Sequence, residues 1–336
     1  GFTSRKLNSL SPLIRKYVDD GKVPGITLMI ARRGKITFAE AYGVMDITNH
    51  RPMPMDGIFR LASMTKPVTA VAALILYEEG AFEIFDPVSK FLPEFHHAKV
   101  YAGSENGQIQ LTEVRRPITI EDLFTHQAGL PSEGDAYPLA DELKELYRQA
   151  NLYSLEDDLA AITTKVSRLP LCAHPGEVWR YSISFDILAH LVEVIAGMPF
   201  SDFLKKRIFD PLGMVDTGFW VASEKADRLV RAYNIDSTGV LQDSGDEEYK
   251  ENFKLPRLTS GSGNLLSTAM DYQRFAQMLA NGGSIDGMQI LGRKTIQFMT
   301  ANRLQANQLP FQPFSDTSMA GYGMGLGVRV LIDLAQ

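Results

Sequence analysis

Apolar positions change period several times along the chain, and each change marks an element. Leu7, Leu10, Leu13, Ile14 and Val18 recur at helical spacing and stop at Gly21, with Ser11-Pro12 offering a cap and a first helical position. Ile26 to Ala31 and Ile36 to Ala41 read as strands, joined by Arg32-Arg33-Gly34-Lys35 as a hairpin turn. Val68, Ala70, Val71, Ala73, Leu74, Ile75 and Leu76 then leave almost no polar face, which predicts a buried central helix. Pro67 falls in its first turn, where a missing N–H costs nothing, and Gly80 supplies its stop.

From about 86 to 255 the pattern turns to helices and loops. Thr119-x-x-Asp122 opens a short helix as a capping box, closed by Gly129, and Ser154-x-x-Asp157 opens another. Phe185, Leu188, Leu191, Val192 and Ile195 predict a third, ended by Gly197 and Pro199. The polar stretch 236–251 reads as a surface excursion, and Thr268-x-x-Asp271 starts a helix that Gly282-Gly283 stops. Near the end, Gly321, Gly323, Gly325 and Gly327 alternate with Tyr322, Met324, Leu326 and Val328, the period of a strand with one bare face. The architecture expected is α+β. An antiparallel sheet with flanking helices is built from 1–85 and 256–336, a mainly helical region, 86–255, is inserted between them, and the site lies in the groove between the two.

Composition narrows the function. A net charge of −6 and a pI near 5.6 argue against nucleic acid, which needs a basic patch. No apolar run reaches membrane-spanning length. A lone cysteine, Cys172, cannot form an internal disulfide. Gly1 to Leu10 hold no apolar signal-peptide core, so a cytoplasmic location is expected. The chain starts with Gly, and a removed signal would make it periplasmic or secreted. Nothing in the pattern specifies an oligomer.

The candidate chemistry begins at Ser63-Met64-Thr65-Lys66, at the start of the apolar helix. Residues i and i+3 share a helix face, with Cβ atoms about 5–6 Å apart, so the lysine nitrogen can reach the serine oxygen. That pairing activates a nucleophile without histidine, and the helix N-terminus favours developing negative charge. A third proton carrier is needed. Pro175-Gly176-Glu177-Val178-Trp179-Arg180-Tyr181-Ser182 offers Tyr181 just before a helix, although a buried tyrosine bonded to backbone is the ordinary alternative.

At this point the chain resembles serine β-lactamases and penicillin-recognising enzymes, and most closely family VIII carboxylesterases. The resemblance runs through Val23-Pro24-Gly25, Arg33-Gly34-Lys35, Phe59 to Lys66, Thr125-His126-Gln127-Ala128-Gly129-Leu130, Trp179-Arg180-Tyr181-Ser182 and Gly261 to Thr268. It implies a β-lactamase/D,D-peptidase-like fold, Ser63 as nucleophile, and Lys66 and Tyr181 as a proton-transfer pair that titrates as one unit. It implies a small-molecule ester as substrate, and no metal or organic cofactor. Trp179, Ile183, His126, Tyr137 and Gly263 are the candidate substrate contacts.

Two departures modify the expectation. The β-lactamase relatives usually carry Asn two residues after the tyrosine; Ile183 stands there and cannot hydrogen-bond a β-lactam amide, which favours esters. The family also carries a Lys-Thr-Gly, His-x-Gly or Trp-x-Gly motif on a later strand. The sequence reaches Gln336 without one, so the natural protein is expected to continue; His174-Pro175-Gly176 has similar letters but belongs to a turn. A class C-like β-lactamase or D,D-peptidase, and a sensor that acylates without turnover, stay open as alternatives. No Gly-x-Ser-x-Gly elbow or His-Glu-x-x-His is present. Glu156, Asp157 and Asp158 fit a helix first turn better than a cation site.

Overall fold

The computed structural model describes residues 3–130, 139–154, 156–312 and 318–335. Helices α1 (Ser4–Asn8) and α2 (Leu10–Asp19) precede an antiparallel sheet of β1 (Gly25–Arg32), β2 (Lys35–Asp46) and β3 (Arg51–Pro52). Strand β4 (Ile58–Arg60) leads through a 3-10 turn, Ala62–Met64, into α3 (Thr65–Glu78). Next come the hairpin β5 (Lys99–Glu105) and β6 (Gln108–Glu113), then α4 (Ile120–Phe124), α5 (Asp141–Ala150), α6 (Leu159–Ser167) and α7 (Ser184–Ala196). A helical segment of α8 (Phe200–Leu204), a π-helical turn and α9 (Asp210–Leu212) follows. The hairpin β7 (Tyr233–Ile235) and β8 (Leu241–Asp243) and helix α10 (Asp246–Glu251) form the polar excursion. The chain continues through β9 (Leu266–Thr268), α11 (Ala269–Ala280), β10 (Ser284–Ile285), β11 (Met288–Gln289), α12 (Arg293–Met299), β12 (Tyr322–Met324) and β13 (Arg329–Leu331).

The first hairpin forms where alternation predicts it. Arg32 pairs with Lys35, and Arg33 and Gly34 both take positive φ, 52° and 74°, as a two-residue turn requires. Helix α3 is the centre of the molecule: Val68, Val71, Leu74, Ile75 and Leu76 are all buried, and α3 packs on α7. Each such side chain contributes about 1.5–3 kcal/mol relative to exposure. One buried cluster runs from Leu61 through α3, α4, α6 and α7 to Phe275, Met299 and Leu326.

The two chain ends meet in β4 and β9, which pair antiparallel from Ile58 with Thr268 to Arg60 with Leu266. Among the described residues the strands form several small antiparallel sheets, where one shared sheet was expected. Other boundaries shift for local reasons. Ser9, not Ser11, precedes α2, and Ser11 and Pro12 lie inside its first turn. The Thr119–Asp122 capping box forms, but α4 ends at Phe124. Gly129 instead lies against the Ala173 carbonyl, which a Cβ would approach to 2.1 Å. The cap of α6 is Asp158, whose carboxylate accepts from Ala161 N, and not Ser154. Thr268 caps α11 as expected.

The glycine-alternating segment is a strand only over 322–324; it turns back so that Met324 pairs with Arg329. Its bare face is used as the alternation suggests. Gly327 (φ +76°) lies where a Cβ would come within 2.6 Å of Ala70 Cβ on α3, so the hairpin presses directly on the central helix. Trp220 is half exposed in the loop after α9. Among the described residues no single helix is long and apolar enough to cross a membrane.

Candidate active site

Ser63 sits in the 3-10 turn that opens α3, next to Ala62, which is held at φ +44°. Strand pairing fixes this turn: Leu61 N donates to Leu265 O at 2.8 Å, extending the β4–β9 ladder. Three α3 side chains then grip the segment before β9. Thr65 Oγ1 accepts from Leu265 N (3.3 Å), Thr69 Oγ1 donates to Gly261 O (2.8 Å), and Lys66 Nζ donates to Ser262 O (2.7 Å). Lys66 is only 7% exposed, so its N–H groups depend on such acceptors.

Tyr181 arrives from the other side. The Pro175-Gly176 turn docks on the loop after α4, with Gly176 N donating to Gln127 O (2.8 Å) and Arg180 N to His126 O (2.9 Å). That delivers the phenol to the start of α3. Ser63 Oγ lies 2.5 Å from Tyr181 OH, and Lys66 Nζ donates to Ser63 Oγ at 3.1 Å. Lys66 Nζ also stands 4.6 Å from the centre of the Tyr181 ring. Residues 118 positions apart in sequence thus share one hydrogen-bonded constellation.

His126 supports the phenol. Its ring centroid is 4.7 Å from that of Tyr181, 5.1 Å from Phe185 and 5.8 Å from Trp179. Ser182 N donates to His126 Nδ1 (3.2 Å), which places the proton of the neutral ring on Nε2. Burial, then the nearby charge of Lys66, hold this imidazole well below its ordinary titration range.

A cavity of about 540 Å³ opens over the three groups. Met64, Trp179, Tyr272, Phe311, Met324 and Val328 give it apolar walls, and Arg329 is the guanidinium among them. Trp179 packs on Phe311 with ring centres 4.6 Å apart. A larger cavity, about 700 Å³, lies between β1 and α11 and shares Met64 and Tyr272 with the first, but Ser63, Lys66 and Tyr181 line only the smaller of the two.

Of the candidate contacts, Trp179 and His126 line the site cavity. Gly263 runs beside the Ser63 turn, a Cβ there falling 4.0 Å from the Ala62 carbonyl carbon. Ile183 is packed in the main core at 3% exposure and is not among the lining residues. Tyr137 lies outside the described residues. Sequence reasoning missed Phe311, Met324 and Arg329, and also Tyr272, whose phenol donates to Met64 O (2.9 Å) and is pushed up to about 12 by burial. The carboxylates weighed as a cation site are engaged otherwise: Asp158 caps α6, and Asp157 pairs with Lys165 at 2.5 Å. Among the described residues no group of three or more His, Cys, Asp or Glu converges on a point.

Fold and constellation together define a serine hydrolase of β-lactamase type. The comparisons agree: the model of the Beta-lactamase family matches residues 10–331, and the chain belongs to that family. It is 32% identical over 324 residues to Protein Rv1367c of Mycobacterium tuberculosis, covering 96% of this chain and 79% of that protein. It is 33% identical over 229 residues to Esterase EstB of Burkholderia gladioli, 67% of this chain and 54% of EstB. Among solved structures, EstCE1, described as a hydrolase with promiscuous acyltransferase activity, superposes with a TM-score of 0.80 at 26% identity over 98% of this chain and 83% of its own.

Proposed function

We propose that this protein is a serine carboxylesterase of the family VIII type, cleaving short-chain esters through an acyl-enzyme on Ser63. The observation that carries the reading is the 2.5 Å and 3.1 Å contacts of Ser63 Oγ with Tyr181 OH and Lys66 Nζ. Ser63 Oγ attacks the ester carbonyl as its proton passes to the Lys66–Tyr181 pair. The tetrahedral oxyanion forms at the N-terminal end of α3, where backbone N–H groups favour negative charge. The pair returns the proton to the departing alkoxide. Water then attacks the acyl-enzyme, giving its proton to the same pair, and Ser63 Oγ leaves with it. These steps need no metal or organic cofactor.

The apolar walls of the cavity favour a second outcome for the same intermediate. An alcohol held against Trp179 and Phe311 would compete with water, and the acyl group would pass to it; EstCE1 is described as having such activity. Amide cleavage is the poorer reading, because Ile183 lies in the core and brings no amide side chain to the cavity.

Stopped-flow hydrolysis of p-nitrophenyl butyrate tests the proposal. A burst of p-nitrophenol equal to the enzyme, followed by steady turnover and absent in Ser63→Ala, is expected. Full activity in Ser63→Ala would refute it. A burst without turnover would favour an acylated sensor, and faster cleavage of a chromogenic cephalosporin than of the ester would favour a β-lactamase. Adding a primary alcohol should divert product from acid to ester.

A further inference from the structure

Asp186 sits in the first turn of α7 with no solvent exposure, between Phe185 and Ile187 of the main core. A carboxylate so placed is costly unless its oxygens are satisfied. Among the described residues, the groups that hydrogen-bond it are neutral donors. Ser260 Oγ donates to Oδ1 at 2.5 Å, Ser262 N donates to the same oxygen at 3.2 Å, and Tyr153 OH donates to Oδ2 at 3.0 Å. Ser262 N is also 3.1 Å from Ser260 Oγ, so hydroxyl, amide and carboxylate close a small ring.

That ring bears on the nucleophile through one residue. Ser262, whose N–H Asp186 holds, is the residue whose carbonyl accepts from Lys66 Nζ. The turn has little room to move: a Cβ on Gly261 would lie 2.3 Å from Phe185 O and 2.6 Å from Ala189 Cβ, both on α7.

We infer that Asp186 is a positioning residue for the reaction, its carboxylate orienting the 260–262 turn so that the Ser262 carbonyl holds Lys66 Nζ against Ser63 Oγ. This rests on the reading of Ser63 as nucleophile. Asp186 touches neither substrate nor reacting atoms; it acts through the Ser262 backbone. Displacement of a positioned group by about 1 Å can cost about 100-fold in rate, so the link belongs to kcat.

The test compares Asp186→Asn, Ser260→Ala and Thr163→Ala on p-nitrophenyl butyrate, with Tm measured for each. Thr163 Oγ1 contacts His190 Nδ1 on α7 (2.8 Å), so its loss loosens the same helix without touching the turn. Asp186→Asn keeps the shape and replaces one acceptor oxygen with a donor amide, and its kcat should fall at least tenfold with KM within twofold. Ser260→Ala, which removes the bridging hydroxyl, should lower kcat at least threefold, again with KM little changed, and decides the matter if Asp186→Asn does not fold. Thr163→Ala should lose Tm and keep kcat within twofold. Retention of more than half of kcat in both turn variants would overturn the inference, as would an equal loss in Thr163→Ala at equal Tm. An inactive parent protein would instead condemn the esterase reading itself.

Discussion

Replacing Tyr181 with Phe removes a single oxygen from the constellation and little else. The ring keeps its neighbours, His126 at 4.7 Å and Lys66 Nζ at 4.6 Å, so packing survives. Ser63 Oγ keeps the Lys66 contact at 3.1 Å and loses the 2.5 Å contact to the phenol. A positioned acid–base group contributes about 10²–10⁴ in rate, which at about 1.36 kcal/mol per decade is about 2.7–5.4 kcal/mol of barrier. Losing the phenol's hydrogen bond to Ser63 Oγ costs the folded state about 0.5–1.5 kcal/mol. For 336 residues, an unfolding entropy of about 2.1 cal/mol/K per residue gives about 0.7 kcal/mol/K, so Tm should fall by about 1–2 °C. Initial rates on p-nitrophenyl butyrate, taken with calorimetry, separate the two effects. Tyr181→Phe should lose at least a hundredfold in kcat, with KM nearly constant. A variant that keeps more than a tenth of kcat, or loses activity only through KM, would show that the phenol does not carry the proton.

Three further outcomes follow from the same geometry. Gly261→Ala forces a Cβ to within 2.3 Å of Phe185 O and 3.1 Å of Thr69 Cγ2, and overpacking of this kind costs about 1–3 kcal/mol; a drop in Tm of about 1.5–4 °C with a larger loss of kcat is expected, and unchanged values of both would contradict the packing. His126 is held neutral by burial, so the unfolded chain binds a proton that the folded one refuses. Its contribution is fully present above the ordinary value of 6.5 and is lost as pH falls toward the depressed folded value, by up to about 1.4 kcal/mol per unit. His126→Asn, which tolerates the positive φ of 58°, should flatten that dependence in urea unfolding at pH 7 and 5.5, and parallel curves for the two proteins would refute it. Ile183→Asn puts an amide into the core at a cost of about 1–3 kcal/mol and should not confer cephalosporin cleavage; a nitrocefin assay that finds robust turnover would show that the side chain does reach the site.

The sequence announced the members of the candidate constellation more clearly than their supports. Ser63 and Lys66 were legible because helical spacing and a buried apolar face place them together, and Tyr181 because a Pro-Gly turn precedes it within a recognisable motif. The clamp behind Lys66 was not, because its acceptor is the backbone carbonyl of Ser262, and main-chain acceptors leave no letter in a sequence. Asp186 did leave a trace: a carboxylate inside Phe-Asp-Ile-Leu on an otherwise apolar helix must find donors. Ile183 misled for the opposite reason, since its position in the motif suggested a pocket and its chemistry took it to the core. The glycine alternation correctly marked a bare face, but Gly327 turns the chain at φ +76°, which alternation alone does not reveal. Phe311, Met324 and Arg329 enter the site through long-range packing, with no local pattern to mark them.

The placing of the two tryptophans gives the molecule its own optical probe. Trp179 forms part of the cavity wall beside Phe311, whereas Trp220 stands 44% exposed in the loop after α9 and is not among the residues lining that cavity. An aqueous quencher such as iodide should extinguish Trp220 emission first, leaving the signal of Trp179. Acylation of Ser63 would then register as a change in that remaining fluorescence, in real time and without a coloured leaving group.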